Sequence, residues 1–358
     1  MKIGGRHYRS IELTDNKWSV TVIDQRRLPW EVLFVELKTC EEAAQAIREM
    51  WVRGAPLIGA VAAYGFCLAL RQDASDAAID RAYDFLFKTR PTAINLKWAL
   101  DHMRQAVVAA PVTDRVSIAY NKAASLCDED VAINLAIGKN GLDIIKALSG
   151  SLPSARPLQI LTHCNAGWLA TVDYGTALAP LYLAHDAGIP VHVWVDETRP
   201  RNQGASLTAW ELQQYGIPHT VITDNAGGLL MSQKKVDFCI VGADRVTRNG
   251  DVCNKIGTYL KALAAQANQV PFYVALPSST IDFTLANGAG IPIEERSPEE
   301  VTQITGRLAN GSIETVTITQ SNAYNTAFDV TPASLVTGFI TENGNMPANE
   351  LIKCAPNS

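Results

Sequence analysis

The segment Leu158-Gln-Ile-Leu-Thr-His-Cys-Asn-Ala-Gly-Trp-Leu-Ala-Thr-Val-Asp-Tyr-Gly-Thr-Ala-Leu178 changes character in its middle. Residues 159–162 form an apolar run of strand length. The run stops at His163-Cys164-Asn165, Gly167 follows, and the remainder has a helix-like composition. A buried strand that ends on a thiol is the reading. The same alternation continues downstream: strand candidates at 159–162, 191–195, 219–223, 236–241 and 272–275 are separated by helical candidates at 175–187, 205–215, 226–234 and 256–266. Near-continuous apolar strands separated by helices make a parallel sheet covered on both faces. Such a doubly wound sheet binds ligands beyond the carboxyl ends of its strands. Five successive strand ends carry polar or reactive groups: Cys164, Glu197-Thr-Arg-Pro-Arg201, Asp224-Asn225, Gly242-Ala-Asp-Arg245 and Pro277-Ser-Ser-Thr280.

Upstream the periodicity differs. Residues 11–13, 19–23 and 32–37 read as short strands of a small antiparallel sheet, separated by Asp15-Asn16 and Pro29. From Cys40 the spacing becomes helical. Residues 41–52 start on Glu41 and Glu42, where the helix dipole favours acids. Residues 56–70 are alanine-rich and apolar on most faces, as in a buried helix. Residues 91–110 and 114–148 are also helical, with a break expected in the second at Cys127-Asp-Glu-Asp130. Ser149-Gly-Ser-Leu-Pro-Ser-Ala-Arg-Pro157 has the composition of a linker. The expected fold is α/β: an N-terminal small antiparallel sheet plus helical bundle over residues 1–150, then a Rossmann-like doubly wound parallel sheet over residues 151–358.

Composition narrows the function classes. The chain has 358 residues, is 47% apolar and carries a net charge of −5. That supports a sizeable core and argues against a nucleic-acid or membrane surface built from bulk positive charge. The start, Met1-Lys-Ile-Gly-Gly-Arg-His-Tyr8, lacks the apolar core of a signal peptide. The seven cysteines are odd in number and none is spaced Cys-x-x-Cys. Neither a disulfide framework nor a zinc site is implied, and a reducing, cytoplasmic compartment is expected. The six histidines form no His-x-x-x-His pair, so no metal is expected. Gly-x-Gly-x-x-Gly, the Walker loop and Gly-x-Ser-x-Gly are all absent. A small substrate held directly by side chains fits that pattern.

Four groups of residues could carry chemistry. Cys164 becomes useful if cations or a helix opened by Asn165-Ala-Gly167 lower its pKa; alone, it fits equally as a small core hydrophobe. Asp244 leaves a buried strand, and desolvation suits it to a general acid; it also fits a cap or a partner of Arg245. Arg53-Gly-Ala-Pro56 and Lys88-Thr-Arg-Pro91 each set an arginine before a helix start, with Pro56 and Pro91 suited to the first turn. A guanidinium beside free backbone N–H groups can hold a phosphate. Asp251-Val-Cys-Asn-Lys-Ile-Gly-Thr-Tyr259 is expected to open a helix, with Asn254 capping and Lys255 meeting an oxyanion. Cys67, Cys127 and Cys239 read as core.

Taken in order, Arg53-Gly-Ala-Pro-Leu-Ile-Gly59, Lys88-Thr-Arg-Pro-Thr-Ala-Ile-Asn95, Thr162-His-Cys-Asn-Ala-Gly167, Glu197-Thr-Arg-Pro-Arg-Asn-Gln-Gly204, Val241-Gly-Ala-Asp-Arg245 and Asn254-Lys-Ile-Gly-Thr-Tyr259 resemble the methylthioribose-1-phosphate isomerase family. That family is related to the regulatory subunits of initiation factor 2B and to ribose-1,5-bisphosphate isomerase. The resemblance runs from about residue 50 to Ala327-Phe-Asp-Val-Thr-Pro332. It implies an aldose–ketose isomerase of methionine salvage that uses no cofactor, acts on a small sugar phosphate, and forms a homodimer through its Rossmann-like domains. It assigns the catalytic cysteine to Cys164 and the acid/base aspartate to Asp244. Substrate-contacting positions fall on Arg53, Gly54, Ala55, Arg90, Gln203, Asn254 and Lys255. Thr326 stands where the family pattern has proline, which bears on the geometry of Asp329. Trp168, close to Cys164 in sequence, is a candidate wall for the methylthio group, or a plain core residue. Two other readings stay open: an isomerase of 5-deoxyribose 1-phosphate or ribose 1,5-bisphosphate, and a noncatalytic initiation-factor-like regulatory protein.

Overall fold

The structure, a computed structural model, describes residues 1–153 and 156–355. Ile11–Leu13, Val20–Ile23 and Phe34–Leu37 form an antiparallel sheet in that order, as expected, with Ile11 opposite Val22 and Val20 opposite Leu37. Helix α1 (Cys40–Arg48) opens on a reciprocal cap: the Glu42 N–H donates to Thr39 Oγ1 at 3.1 Å, and the Thr39 N–H donates to Glu42 Oε2 at 3.2 Å. Helix α2 (Ala55–Gln72) is long and apolar enough to cross a membrane by composition, but it is the buried shaft of this half. It packs among α1, α3 (Asp76–Phe87), α4 (Ile94–Val108) and α5 (Arg115–Gly150).

Helix α5 corrects the expectation of a break near Cys127. Its 36 residues run unbroken because each half is held by a different core. Ala119, Ala123, Leu126 and Cys127 belong to the helical core, whereas Ile137 and Ile145 belong to the core of the large sheet. The acids between them have local partners that leave the helix intact. Asp128 turns outward to Arg9 at 2.8 Å, and Asp130 accepts the Val172 N–H at 2.8 Å. A Cβ on Gly141 would collide with Pro180, so this glycine is what lets α5 lie against α6 (Ala179–Asp186). Of the linker candidate, residues 154 and 155 lie outside the described residues.

The large sheet has seven strands. Six are parallel and enter the chain as Leu158–Thr162, Val191–Asp196, His219–Ile222, Phe238–Val241, Phe272–Ala275 and Gly338–Thr341. In space they stand third, second, first, fourth, fifth, sixth, the order of a doubly wound sheet. Gly344–Met346 adds an antiparallel edge. Adjacent residues feed opposite faces, as the two-residue period requires. Ile160 and Ile240 pack beneath α5 and α6, whereas Leu161 and Val241 pack in the core shared with α9 (Thr258–Asn268). The chain reverses its winding direction between Leu158–Thr162 and Phe238–Val241, and a crevice opens beyond those two ends.

A second, four-stranded sheet spans Ile281–Asp282, Arg245–Thr247, Val252–Lys255 and Phe328–Thr331. It corrects the reading of 251–259 as a helix start. Val252–Lys255 is a strand, with Asn254 opposite Asp329 and Lys255 opposite Phe328. Helix α9 begins only at Thr258, after Gly257 turns the chain at φ +104°. The deciding partner, Phe328–Thr331, lies far along the chain, where local periodicity carries no signal.

Candidate active site

The loop after Leu158–Thr162 does not open a helix at Asn165. Trp168–Ala170 is a single turn, and α6 starts at Ala179. The expected helix N-terminus beside the thiol is therefore absent, because this loop spends its polar groups on tertiary partners. Cys164 has φ +67°, a left-handed conformation that a side-chain-bearing residue adopts only under surrounding constraint. The constraint is visible: its N–H donates to Thr198 Oγ1 at 2.9 Å, and its carbonyl accepts from Thr208 Oγ1 at 2.7 Å. The Cys164 thiol points at Gln203 Oε1, 3.8 Å away. Burial pushes this thiol up, against the opposing pull of Arg53 and Lys255, so the protonated form is favoured.

Asp244 stands across the crevice, three residues beyond Phe238–Val241. Gly242 is required there, since a Cβ would come within 2.7 Å of the Ala166 side chain. The Asp244 N–H is held by the Cys253 carbonyl at 2.9 Å, while its carboxyl accepts no hydrogen bond from the described residues. Arg245, the alternative partner, turns instead to Asp282 at 3.1 Å. Burial raises the Asp244 pKa, with Lys255, Arg90 and Arg53 working against the rise. A carboxyl raised this way can keep its proton for use as an acid.

Three cations face these two groups. Arg53 is 8% exposed and donates from both terminal nitrogens to Asn165, one to the side-chain Oδ1 and one to the main-chain oxygen. Gly54 has φ +96°, and a Cβ there would lie 2.5 Å from the Ala170 backbone. Ala55 and Pro56 begin α2 as expected. Arg90 lies between turns at 88–89 and 91–92, and Pro91 precedes α4 by three residues, so the second proline sits outside the helix. Arg90 pairs with Glu294 at 3.2 Å. Lys255 lies 5.0 Å from the centre of the Phe328 ring. Burial lowers its pKa, and Cys164 and Asp244 oppose that. Asn254 donates to Thr258 Oγ1 at 3.0 Å rather than capping a helix.

One cavity is lined by Arg53, Gly54, Ala55, Arg90, Cys164, Gln203, Asp244, Asn254 and Lys255 together. Sequence reasoning gave no role to several further lining residues, among them Met50, Arg296 and Phe328. Phe328 was quoted only as part of a motif, and Arg296 sits in a segment with no periodicity to flag it. Trp168 is not on the cavity: it is 1% exposed and packs on Trp210, ring centres 6.1 Å apart. Met50, Pro277 and Phe328 supply apolar lining instead. Asp329 accepts the N–H groups of Gly257 and Tyr259 at 2.7 and 3.1 Å, so it anchors the start of α9.

His163, Asp196 and Asp224 bring their ligand atoms within 4.8 Å of one another, as at a metal site. Their contacts argue otherwise. Lys261 Nζ lies 3.2 Å from Asp196 Oδ2 and also donates to the Asp224 carbonyl, so an ammonium holds the cation position. Both His163 ring nitrogens are engaged, by Asp196 and by the Ile256 carbonyl, each at 2.8 Å. The cluster is a buried ion-paired support beneath the Cys164 loop.

Residues 51–348 match the Initiation factor 2 subunit family. The chain is 62% identical to a methylthioribose-1-phosphate isomerase of Acidiphilium cryptum, over 98% of this chain and 96% of that one. It is also 62% identical to the enzyme of the same name from Paramagnetospirillum magneticum, over 96% and 95%. Its fold superposes on the crystal structure of 5-methylthioribose 1-phosphate isomerase from Pyrococcus horikoshii with a TM-score of 0.82 and 40% identity, covering 97% and 95% of the two chains. It superposes on subunit delta of translation initiation factor eIF-2B from A. fulgidus with a TM-score of 0.79 and 38% identity, covering 97% and 99%.

Proposed function

The chain belongs to the methylthioribose-1-phosphate isomerase family and to the broader initiation factor 2 subunit family, and from that premise we propose that it converts 5-methylthioribose 1-phosphate to 5-methylthioribulose 1-phosphate in methionine salvage. The observation that carries the reading is the pairing of Cys164 and Asp244 across a crevice ringed by Arg53, Arg90 and Lys255.

The substrate sets the chemistry. Its anomeric carbon carries phosphate, so the ring cannot open by simple hemiacetal reversal. Asp244 protonates the ring oxygen as the bond from that oxygen to C1 breaks. The C2 hydrogen then moves to C1, and the C2 hydroxyl loses its proton as the ketone forms. If it moves as a proton, an enol phosphate forms and Cys164 is the base. If it moves as a hydride, Cys164 only shapes the site. The thiol form favoured by burial supports the hydride route. In deuterated water that route leaves no solvent deuterium at C1; wash-in at C1 would establish the proton route. Arg53, Arg90 and Lys255 hold the phosphate, at about 1.5–3 kcal/mol per charge-assisted hydrogen bond. Gln203 and Asn254 meet sugar hydroxyls, and Met50 and Phe328 offer an apolar berth to the methylthio group.

The functional unit is read as a homodimer. Exposed Leu229 on α8 (Ala226–Ser232) and exposed Leu260 and Leu263 on the adjoining α9 support an interface on the sheet domain. The seven unpaired cysteines support a reducing compartment, and the cytoplasm is our reading.

Carbon NMR of the protein with 5-methylthioribose 1-phosphate tests the proposal. The expected result is a C2 ketone signal with wild type and its loss with Asp244→Asn. Binding without a ketone would favour a regulatory role like that of the initiation-factor neighbour. No binding and no ketone would turn the search to another sugar phosphate.

A further inference from the structure

Glu211 is 1% exposed on α7 (Ala209–Tyr215) and does not line the cavity. It is nevertheless built into the site's support. Its Oε1 accepts from Asn165 Nδ2 at 2.8 Å and from the Leu169 N–H at 3.2 Å. Its Oε2 accepts from the Trp168 N–H at 2.9 Å and from the Tyr182 hydroxyl at 2.6 Å. A Cβ on Gly167 would collide with Oε2, so the loop is shaped around this carboxylate. Among the described residues no cation touches it directly. Burying a carboxylate among neutral donors is costly, and a glutamine of similar shape would avoid the charge.

The direction of Asn165 shows what the carboxylate does there. Thr208 donates its hydroxyl hydrogen to the Cys164 carbonyl, so its oxygen can only accept from Asn165 Nδ2, at 3.1 Å. Glu211 Oε1 can likewise only accept from that nitrogen. With the amide nitrogen committed to two acceptors, Oδ1 must face Arg53, and it receives one terminal nitrogen while the Asn165 carbonyl receives the other. Two of the five guanidinium N–H groups are thereby used, and the other three have no partner among the described residues. We infer that Glu211 is a positioning residue: through the Asn165 amide it holds Arg53 in the one orientation that presents its remaining N–H groups to an anionic group of the substrate. This rests on the proposed function for the identity of the substrate, but the anion-binding claim is independent of it.

The test is steady-state kinetics of variants at Glu211 and Asn165. In Glu211→Gln a neutral oxygen replaces a charged acceptor and the new amide nitrogen meets the Trp168 N–H, so the hold on Asn165 weakens. The KM for 5-methylthioribose 1-phosphate is expected to rise about tenfold or more, with kcat changed by less than about threefold. Asn165→Asp alone sets two carboxylates side by side and is expected to be worse. Calorimetric titration with inorganic phosphate reads the same cradle without turnover, and its affinity should follow the same pattern. If Glu211→Gln does not fold, Asn165→Ala removes the side-chain half of the grip on Arg53, keeps the main-chain half, and leaves Glu211 three donors; a rise in KM is again expected. An unchanged KM and unchanged phosphate affinity in these variants, with only a lower melting temperature, would overturn the inference. Wild type that binds phosphate but forms no ketone would instead sink the isomerase reading.

Discussion

The two arginine loops read alike in sequence and sit differently in the structure. Arg53 is 8% exposed, and both its terminal nitrogens rest on a neutral asparagine. Arg90 has a charged partner, Glu294, which also binds Arg296 at 2.9 Å; Arg296 in turn binds Glu300 at 2.6 Å, and Glu300 binds Arg201 at 2.8 Å. In the proposed role the first loop is prepared for an anion before one arrives. The second must exchange a carboxylate for it. Similar motifs therefore do different work: one supplies orientation, and the other couples the site to the 294–300 segment that crosses its rim.

The comparison can be broken by replacing each guanidinium with an ammonium. Arg53→Lys loses a two-pronged grip that a point charge cannot reproduce, and kcat/KM should fall about a hundredfold. Arg90→Lys keeps a charge that can still exchange partners, and a fall of about tenfold or less is expected. Steady-state kinetics of both variants decides the matter; equal losses would erase the distinction. A smaller effect sharpens it. Glu294→Gln releases Arg90 from its competitor, so KM should drop by about two- to fivefold and become less sensitive to salt. A raised KM would mean that Glu294 positions Arg90 rather than competing with substrate.

The contrast also marks where the sequence could be read. The parallel strands and their ends were legible, because buried strands leave continuous apolar runs and their order in the chain implies the crevice. Cys164 and Asp244 stood out for that reason. The setting of Cys164 was not legible: its left-handed backbone depends on Thr198 and Thr208, which lie in other elements. The strand carrying Asn254 and Lys255 was misread as a helix start because its partner is Phe328–Thr331. The unbroken α5 was missed because local acids suggested a break that two separate cores suppress. Arg296 had no local signal at all. Trp168 was tied to the site by nearness in sequence, whereas the chain turns its ring into the core. Placements that follow from the local strand pattern were legible, and settings that depend on distant partners were not.

In the proposed mechanism Arg53, Arg90, Lys255 and Gln203 bind the substrate, whereas Asp244 reacts with it. Titration of Asp244→Asn with 5-methylthioribose 1-phosphate, paired with a turnover assay on the same sample, tests it most directly. The account predicts affinity within about threefold of wild type, since the cations and Gln203 remain, together with loss of ketone formation. Turnover near the wild-type rate, or loss of binding in a folded protein, would contradict it.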